Sequence, residues 1–78
     1  MTNKEMMRQL YERMTAEQQK YKAWLLEQPP NVILDNACKF TVREDIVMEL
    51  EVLELTDAQA AALLRSRTPL ADVYRAWE

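Results

Sequence analysis

NKEMMRQLYERMTAEQQKYKAWLLEQPP, residues 3–30, is an amphipathic helix that carries its own stop signal. Met6, Met7, Leu10, Tyr11 and Met14 recur at the three- and four-residue spacing that lines one side of a helix. Tyr21, Trp24 and Leu25 continue that stripe. Between them, Ala16-Glu17-Gln18-Gln19-Lys20 offers no large apolar side chain, and Thr15 with Gln18 forms a capping pattern that would start a second helix. The spacing favours one long helix from near Asn3 to Gln28. Gln28-Pro29-Pro30 ends it, because a residue that precedes proline avoids helical backbone.

The same threonine signal punctuates the rest of the chain. Thr followed three residues later by Glu or Gln lets two orphan amides at a helix start be satisfied reciprocally. It occurs at Thr2–Glu5, Thr15–Gln18, Thr41–Glu44 and Thr56–Gln59, and Thr68-Pro69 adds a cap followed by proline at the first helical position. The predicted helices after the first are Pro30–Phe40, Val42 to about Leu53, Asp57–Arg65, and Pro69 to the C-terminus. No stretch alternates convincingly as a strand. The expectation is a single all-α domain over residues 1–78, a small bundle of about five short helices of which the first is long. With no glycine, left-handed backbone at the joints is expected at Asn31, Asp35, Asn36 or Asp57.

Composition narrows the function classes. The 78 residues contain no glycine and no histidine. Phosphate-cradling glycine loops are thereby ruled out, and so is the commonest general base and metal ligand. No enzyme activity, no cofactor and no metal site is expected. Cys38 is the only cysteine, which rules out an internal disulfide. It reads as a small buried residue, having no histidine to activate it. No apolar run approaches the ~20 residues of a membrane span, and no leader is read at the N-terminus, so a cytoplasmic protein without membrane contact is expected. Net charge is −3, divided as +1 over residues 1–40 and −4 over residues 41–78. The basic residues are scattered rather than gathered on one face, which disfavours direct nucleic-acid binding.

The acidic segment is the most distinctive local feature. Glu44, Asp45, Glu49, Glu51, Glu54 and Asp57 occur with no base after Glu44 in that span. On a helical wheel Val42, Ile46, Leu50 and Leu53 form one apolar stripe, while Met48, Val52 and Leu55 form another on the opposite side. A helix with two apolar sides is either central in the bundle or bound to a partner. Glu44, Met48, Glu51, Val52 and Leu55 are therefore the candidate partner-binding residues. Trp24 and Trp77 read as core anchors that become interface candidates if exposed.

Tyr21-Lys-Ala-Trp24-Leu25, Gln28-Pro29-Pro30, Ile33-Leu34, Thr41-Val-Arg-Glu-Asp-Ile46, Gln59-Ala60, Ala62-Leu63-Leu64 and Pro69-Leu-Ala-Asp-Val-Tyr74 form a recognisable series. Together they resemble an uncharacterised family of small proteins from gut bacteria, called domain of unknown function 3848. The resemblance covers nearly the whole chain and brings no assigned functional residue. It implies a free-standing bacterial domain from the accessory or mobile part of a genome. At position 38 the family would lead one to expect an aromatic residue.

Two functions are compatible with these readings. One is a non-catalytic helical module that docks a protein partner or a second copy of itself. The other is an inhibitor of a nucleic-acid enzyme whose carboxylates imitate phosphates, as in anti-defence proteins.

Overall fold

The computed structural model describes residues 2–77, apart from the side chains of Glu51 and Trp77. Four helices are formed: α1 (Asn3–Leu26), α2 (Pro30–Met48), α3 (Asp57–Arg65) and α4 (Pro69–Trp77), with a 3-10 turn over Leu50–Leu53 between α2 and α3. The described residues include no strand.

α1 runs unbroken through Thr15 and stops at Leu26, short of the expected Gln28. Its start is capped as the sequence predicts: the Glu5 amide donates to the Thr2 hydroxyl at 3.1 Å. At its end the Gln28 side chain donates to the Trp24 carbonyl at 3.1 Å, taking one of the acceptors that a helix terminus leaves open. Pro29 is extended and Pro30 is the first residue of α2, so the double proline acts as both stop and start.

The expected break at Thr41 does not occur. Pro30–Phe40 and the acidic helix are one continuous α2, and the helix count is four rather than five. Thr41 donates its hydroxyl to the Ala37 carbonyl one turn back, at 3.1 Å, instead of capping a new helix. The cause is tertiary. Asn36, Phe40, Arg43 and Val47 recur at i, i+4, i+7 and i+11, a single stripe that α1 binds along its length. Tyr21 donates to Asn36 and stacks on Phe40, Arg43 donates to Gln18, and Val47 joins the core cluster that contains Leu10 and Met14. A break at Thr41 would divide that stripe.

The helix ends instead at Met48, and the 3-10 turn follows. Glu54 then adopts φ 49° and ψ 51°, the only positive φ among the described residues. Asn31, Asp35 and Asn36, where left-handed backbone was expected, lie inside α2, and Asp57 opens α3. A residue with a Cβ pays about 1–2 kcal/mol for this conformation. It redirects the chain so that Thr56 starts α3 with a complete capping box, its hydroxyl accepting from the Gln59 amide at 3.1 Å and its amide donating to the Gln59 side chain at 2.9 Å.

Leu10, Met14, Ile46, Val47, Leu50 and Leu70 form the buried core, flanked by Met7, Val42, Leu53, Leu55, Leu63, Leu64, Val73 and Tyr74. α3 and α4 both pack on α1, and α4 also packs on α2. The molecule is elongated. Its radius of gyration is 13.2 Å, against about 11.5 Å for a compact domain of this length. The long dimension of 43 Å follows α1, which at 1.5 Å per residue is itself about 36 Å long.

Candidate interaction surface

The site rests on a buried polar joint. Glu17 reaches from the middle of α1 to the start of α4, where its carboxylate accepts from the amides of Leu70 at 2.8 Å and Ala71 at 3.0 Å. A carboxylate on the free amides of a helix start satisfies donors and complements the helix dipole. Glu17 also lies 3.7 Å from Arg43 of α2, and the two side chains are 15% and 6% exposed. The Arg43 Nε donates to Gln18 at 3.1 Å, and Gln18 donates onward to the Phe40 carbonyl at 3.2 Å. The guanidinium also sits over the Tyr21 ring, 4.5 Å from its centroid. One knot of side chains thus fixes α1, α2 and α4 together.

A second joint fixes α3 and α4. Arg13 donates to the carbonyls of Leu64 and Ser66 at the end of α3, the place where a cation complements the helix dipole. The Ser66 hydroxyl accepts from the Thr68 amide at 3.1 Å and donates to Asp72 at 2.5 Å. That bond and the neighbouring Arg75 guanidinium hold the Asp72 carboxyl below its ordinary value.

Both joints use the same flank of α1. Met6, Arg13 and Glu17 fall within about 40° of one another on a wheel of 100° per residue, and the last two bond α3 and α4. On the other flank Lys4, Arg8, Tyr11, Lys22 and Leu26 form a stripe about 60° wide. At the hairpin tip Lys22 and Leu26 of that stripe, with Leu25, line a groove of about 250 Å³ that Ile33, Ala37, Phe40 and Thr41 of α2 complete. Nearer the start of α1 a separate groove of about 300 Å³ is lined by Lys4, Glu5, Met7, Arg8, Tyr11 and Leu50.

The large apolar side chains that the fold leaves outside are Leu26, Leu34, Met48 and Val52, with relative exposures of 66, 75, 75 and 76%, and the half-exposed Tyr11 and Trp24. Of the sequence-predicted residues, Met48 and Val52 stand in solvent, Glu44 is half-buried, and Leu55 is partly buried against the core. The side chain of Glu51 lies outside the described residues. The helical wheel that grouped Leu55 with Met48 and Val52 does not apply, because the chain passes through a 3-10 turn and then left-handed backbone at Glu54. A 3-10 turn advances about 120° per residue, so every later side chain is rotated away from the α-helical pattern.

Two further expectations are corrected. Cys38 is exposed rather than buried, because it lies on the side of α2 opposite Arg43 and Val47. Trp24 is 49% exposed and stacks on Tyr21 at 5.9 Å instead of anchoring the core. The side chain of Trp77 lies outside the described residues. The polar joint was missed in the sequence, although Gln18 gave a signal. It occupies a position between Met14 and Tyr21 where the apolar stripe calls for a large hydrophobe.

Among the described residues, no group of three or more His, Cys, Asp or Glu is placed to hold a metal ion, and no helix is long and apolar enough to cross a membrane. In comparisons with known proteins, a family model described as a protein of unknown function (DUF3848) matches residues 6–78. No curated protein and no solved structure matches.

Proposed function

The chain belongs to that DUF3848 family, and we propose that it is a non-catalytic interaction module whose docking face is the open side of the α1–α2 hairpin. The observation that carries this reading is the exposure of Met48 and Val52, at 75% and 76%. A small helical domain gains by burying such side chains, at roughly 25 cal/mol per Å², and apolar groups that stand out together mark interaction sites. The buried Glu17–Arg43 joint on the opposite flank holds the hairpin rigid, so the face is offered preformed, which lowers the ordering cost of binding. A composition without glycine or histidine agrees with a binding role.

The phosphate-mimic alternative needs Glu44, Glu51 and Glu54 together on one open face. Glu44 is half-buried and Glu54 lies beyond the 3-10 turn, so the apolar docking reading is preferred. Affinity capture from the bacterial host with the wild-type chain and with M48E/V52E tests it. A partner held by the wild type and lost by the variant is expected. Equal capture by both, with the variant's helical circular dichroism intact, refutes the assignment of this face.

A further inference from the structure

The geometry points to a second site, on the flank of α1 that carries the two joints: a groove that binds a small phosphate monoester. Its volume is about 350 Å³, at the small end of the range for ligand sites, and it is lined by Arg13, Ala16, Glu17, Lys20, Arg67 and Pro69.

The fold assembles this groove from distant parts of the chain. Arg13, Ala16, Glu17 and Lys20 recur at i, i+3, i+4 and i+7 and so share one side of α1. Arg67 comes from the segment between α3 and α4, and Pro69 opens α4. Cations that are scattered in the sequence are thereby gathered. Three of them against one carboxylate leave the groove at +2, in a chain whose net charge is −3.

The nearby acids are already engaged within the fold. Glu17 accepts from the amides of Leu70 and Ala71 and lies 3.7 Å from the buried Arg43, which does not line the groove. Asp72, in the first turn of α4, is bonded by Ser66 and Arg75. The three lining cations are in the opposite condition. The described ion pairs, Arg43–Glu17 and Arg75–Asp72, use none of them. Arg13 is half-buried and fixed by the carbonyls of Leu64 and Ser66. Those acceptors are uncharged and take only part of the fork of N–H groups that a guanidinium offers. Lys20 and Arg67 are exposed, free to close on a ligand beside it.

Charge and shape select the ligand. A groove at +2 balances a phosphate monoester, which carries about −1.5 to −2 near neutral pH; a carboxylate would leave a cation unmet. Arginine matches phosphate through parallel N–H groups, and lysine adds a point charge. Ala16 and Pro69 give the groove an apolar wall. Its volume exceeds the share of about ten water molecules, at ~30 Å³ each, so room remains beside the phosphoryl group for an organic body. Arg13 and Glu17 hold α1, α3 and α4 in place, so the site is preformed and little ordering opposes binding.

The test is a titration of the full chain with phenyl phosphate, inorganic phosphate and benzoate, read by two-dimensional NMR of the backbone amides. Phenyl phosphate should move the amides of Lys20, Arg67 and Thr68 saturably, with a Kd below about 1 mM. Benzoate, with one charge, should bind at least about 10-fold more weakly, and so should inorganic phosphate, which has no body to lie on the apolar wall. K20E/R67E should lower the affinity for phenyl phosphate by at least about 10-fold and keep wild-type helical circular dichroism, since both side chains are exposed. K20R/R67K, which preserves the charge, should still bind. No saturable shift at about 10 mM phenyl phosphate, shifts centred away from this groove, or an affinity indifferent to K20E/R67E overturns the inference. Benzoate binding as tightly as phenyl phosphate overturns the assignment to phosphate, and inorganic phosphate doing so overturns the assignment to an ester.

Discussion

Replacing Glu17 with alanine should be among the most damaging single changes outside the hydrophobic core. The carboxylate accepts two amides of α4 and is the counter-charge of Arg43, whose side chain is 6% exposed. Hydrogen bonds to charged groups contribute about 1.5–3 kcal/mol each, and removing one partner of a buried ion pair costs about 3–5 kcal/mol. The contributions overlap because one carboxylate makes them all, and the 3.7 Å separation is long for an ion pair. The lower end is therefore expected, about 3 kcal/mol. A chain of 78 residues has a total stability of about 4–12 kcal/mol, so E17A should sit near the edge of folding. The melting temperature should fall by about 12–24 °C, at 4–8 °C per kcal/mol. Urea unfolding followed by circular dichroism at neutral pH measures the change directly. A double-mutant cycle with R43M separates the ion pair from the cap. Once the orphan cation is gone, the double variant should be about 1–2 kcal/mol more stable than the two single changes sum to. A loss below about 1 kcal/mol for E17A, or strict additivity in the cycle, would refute this account.

Other outcomes follow from single positions. The Thr15 hydroxyl is buried without a hydrogen-bond partner; T15V keeps the branched shape, removes the orphan, and should raise stability by about 1 kcal/mol in urea titration. Glu54 holds left-handed backbone, so E54G should stabilise by about 0.5–1 kcal/mol, and a loss of stability there would contradict the backbone assignment. Asp72 has a folded-state pKa below 3.8, chiefly through its bond from Ser66. Its contact therefore stabilises above that pH and is lost as pH falls through the folded value. The urea midpoint of D72N should lie below wild type at neutral pH and converge on it in acid; a gap that stays constant with pH would contradict this. L10A, at a fully buried site, should cost about 2–5 kcal/mol by the same assay.

The all-helical architecture was legible because it depends on local signals. Thr2 and Thr56 cap as their spacing predicts, the double proline turns α1 into α2, and the stripe from Met6 to Leu25 survives a polar interruption. Thr41 shows where local reading fails. Its capping pattern matches that of Thr56, but a capping box adds only ~1 kcal/mol. The unbroken stripe of Asn36, Phe40, Arg43 and Val47 against α1 outweighs it. Of the candidate partner-binding residues, Met48 and Val52 are exposed, whereas Leu55, grouped with them by a wheel that the 3-10 turn and Glu54 invalidate, packs against the core.

What the sequence determined by itself was the all-helical class and the helix starts after Thr2, at Pro30, after Thr56 and at Pro69, since periodicity and capping act over three or four residues. The tertiary structure decided where α2 ends, which carboxylate caps α4, and which apolar side chains stay outside. Glu17 lies 53 residues from Leu70, and no local pattern reports a partner at that distance. The same holds for exposure: Ile46 and Met48 are both apolar and lie on two opposite apolar stripes, and the packing of α1 and α4 on α2 decides that Ile46 is core and Met48 surface.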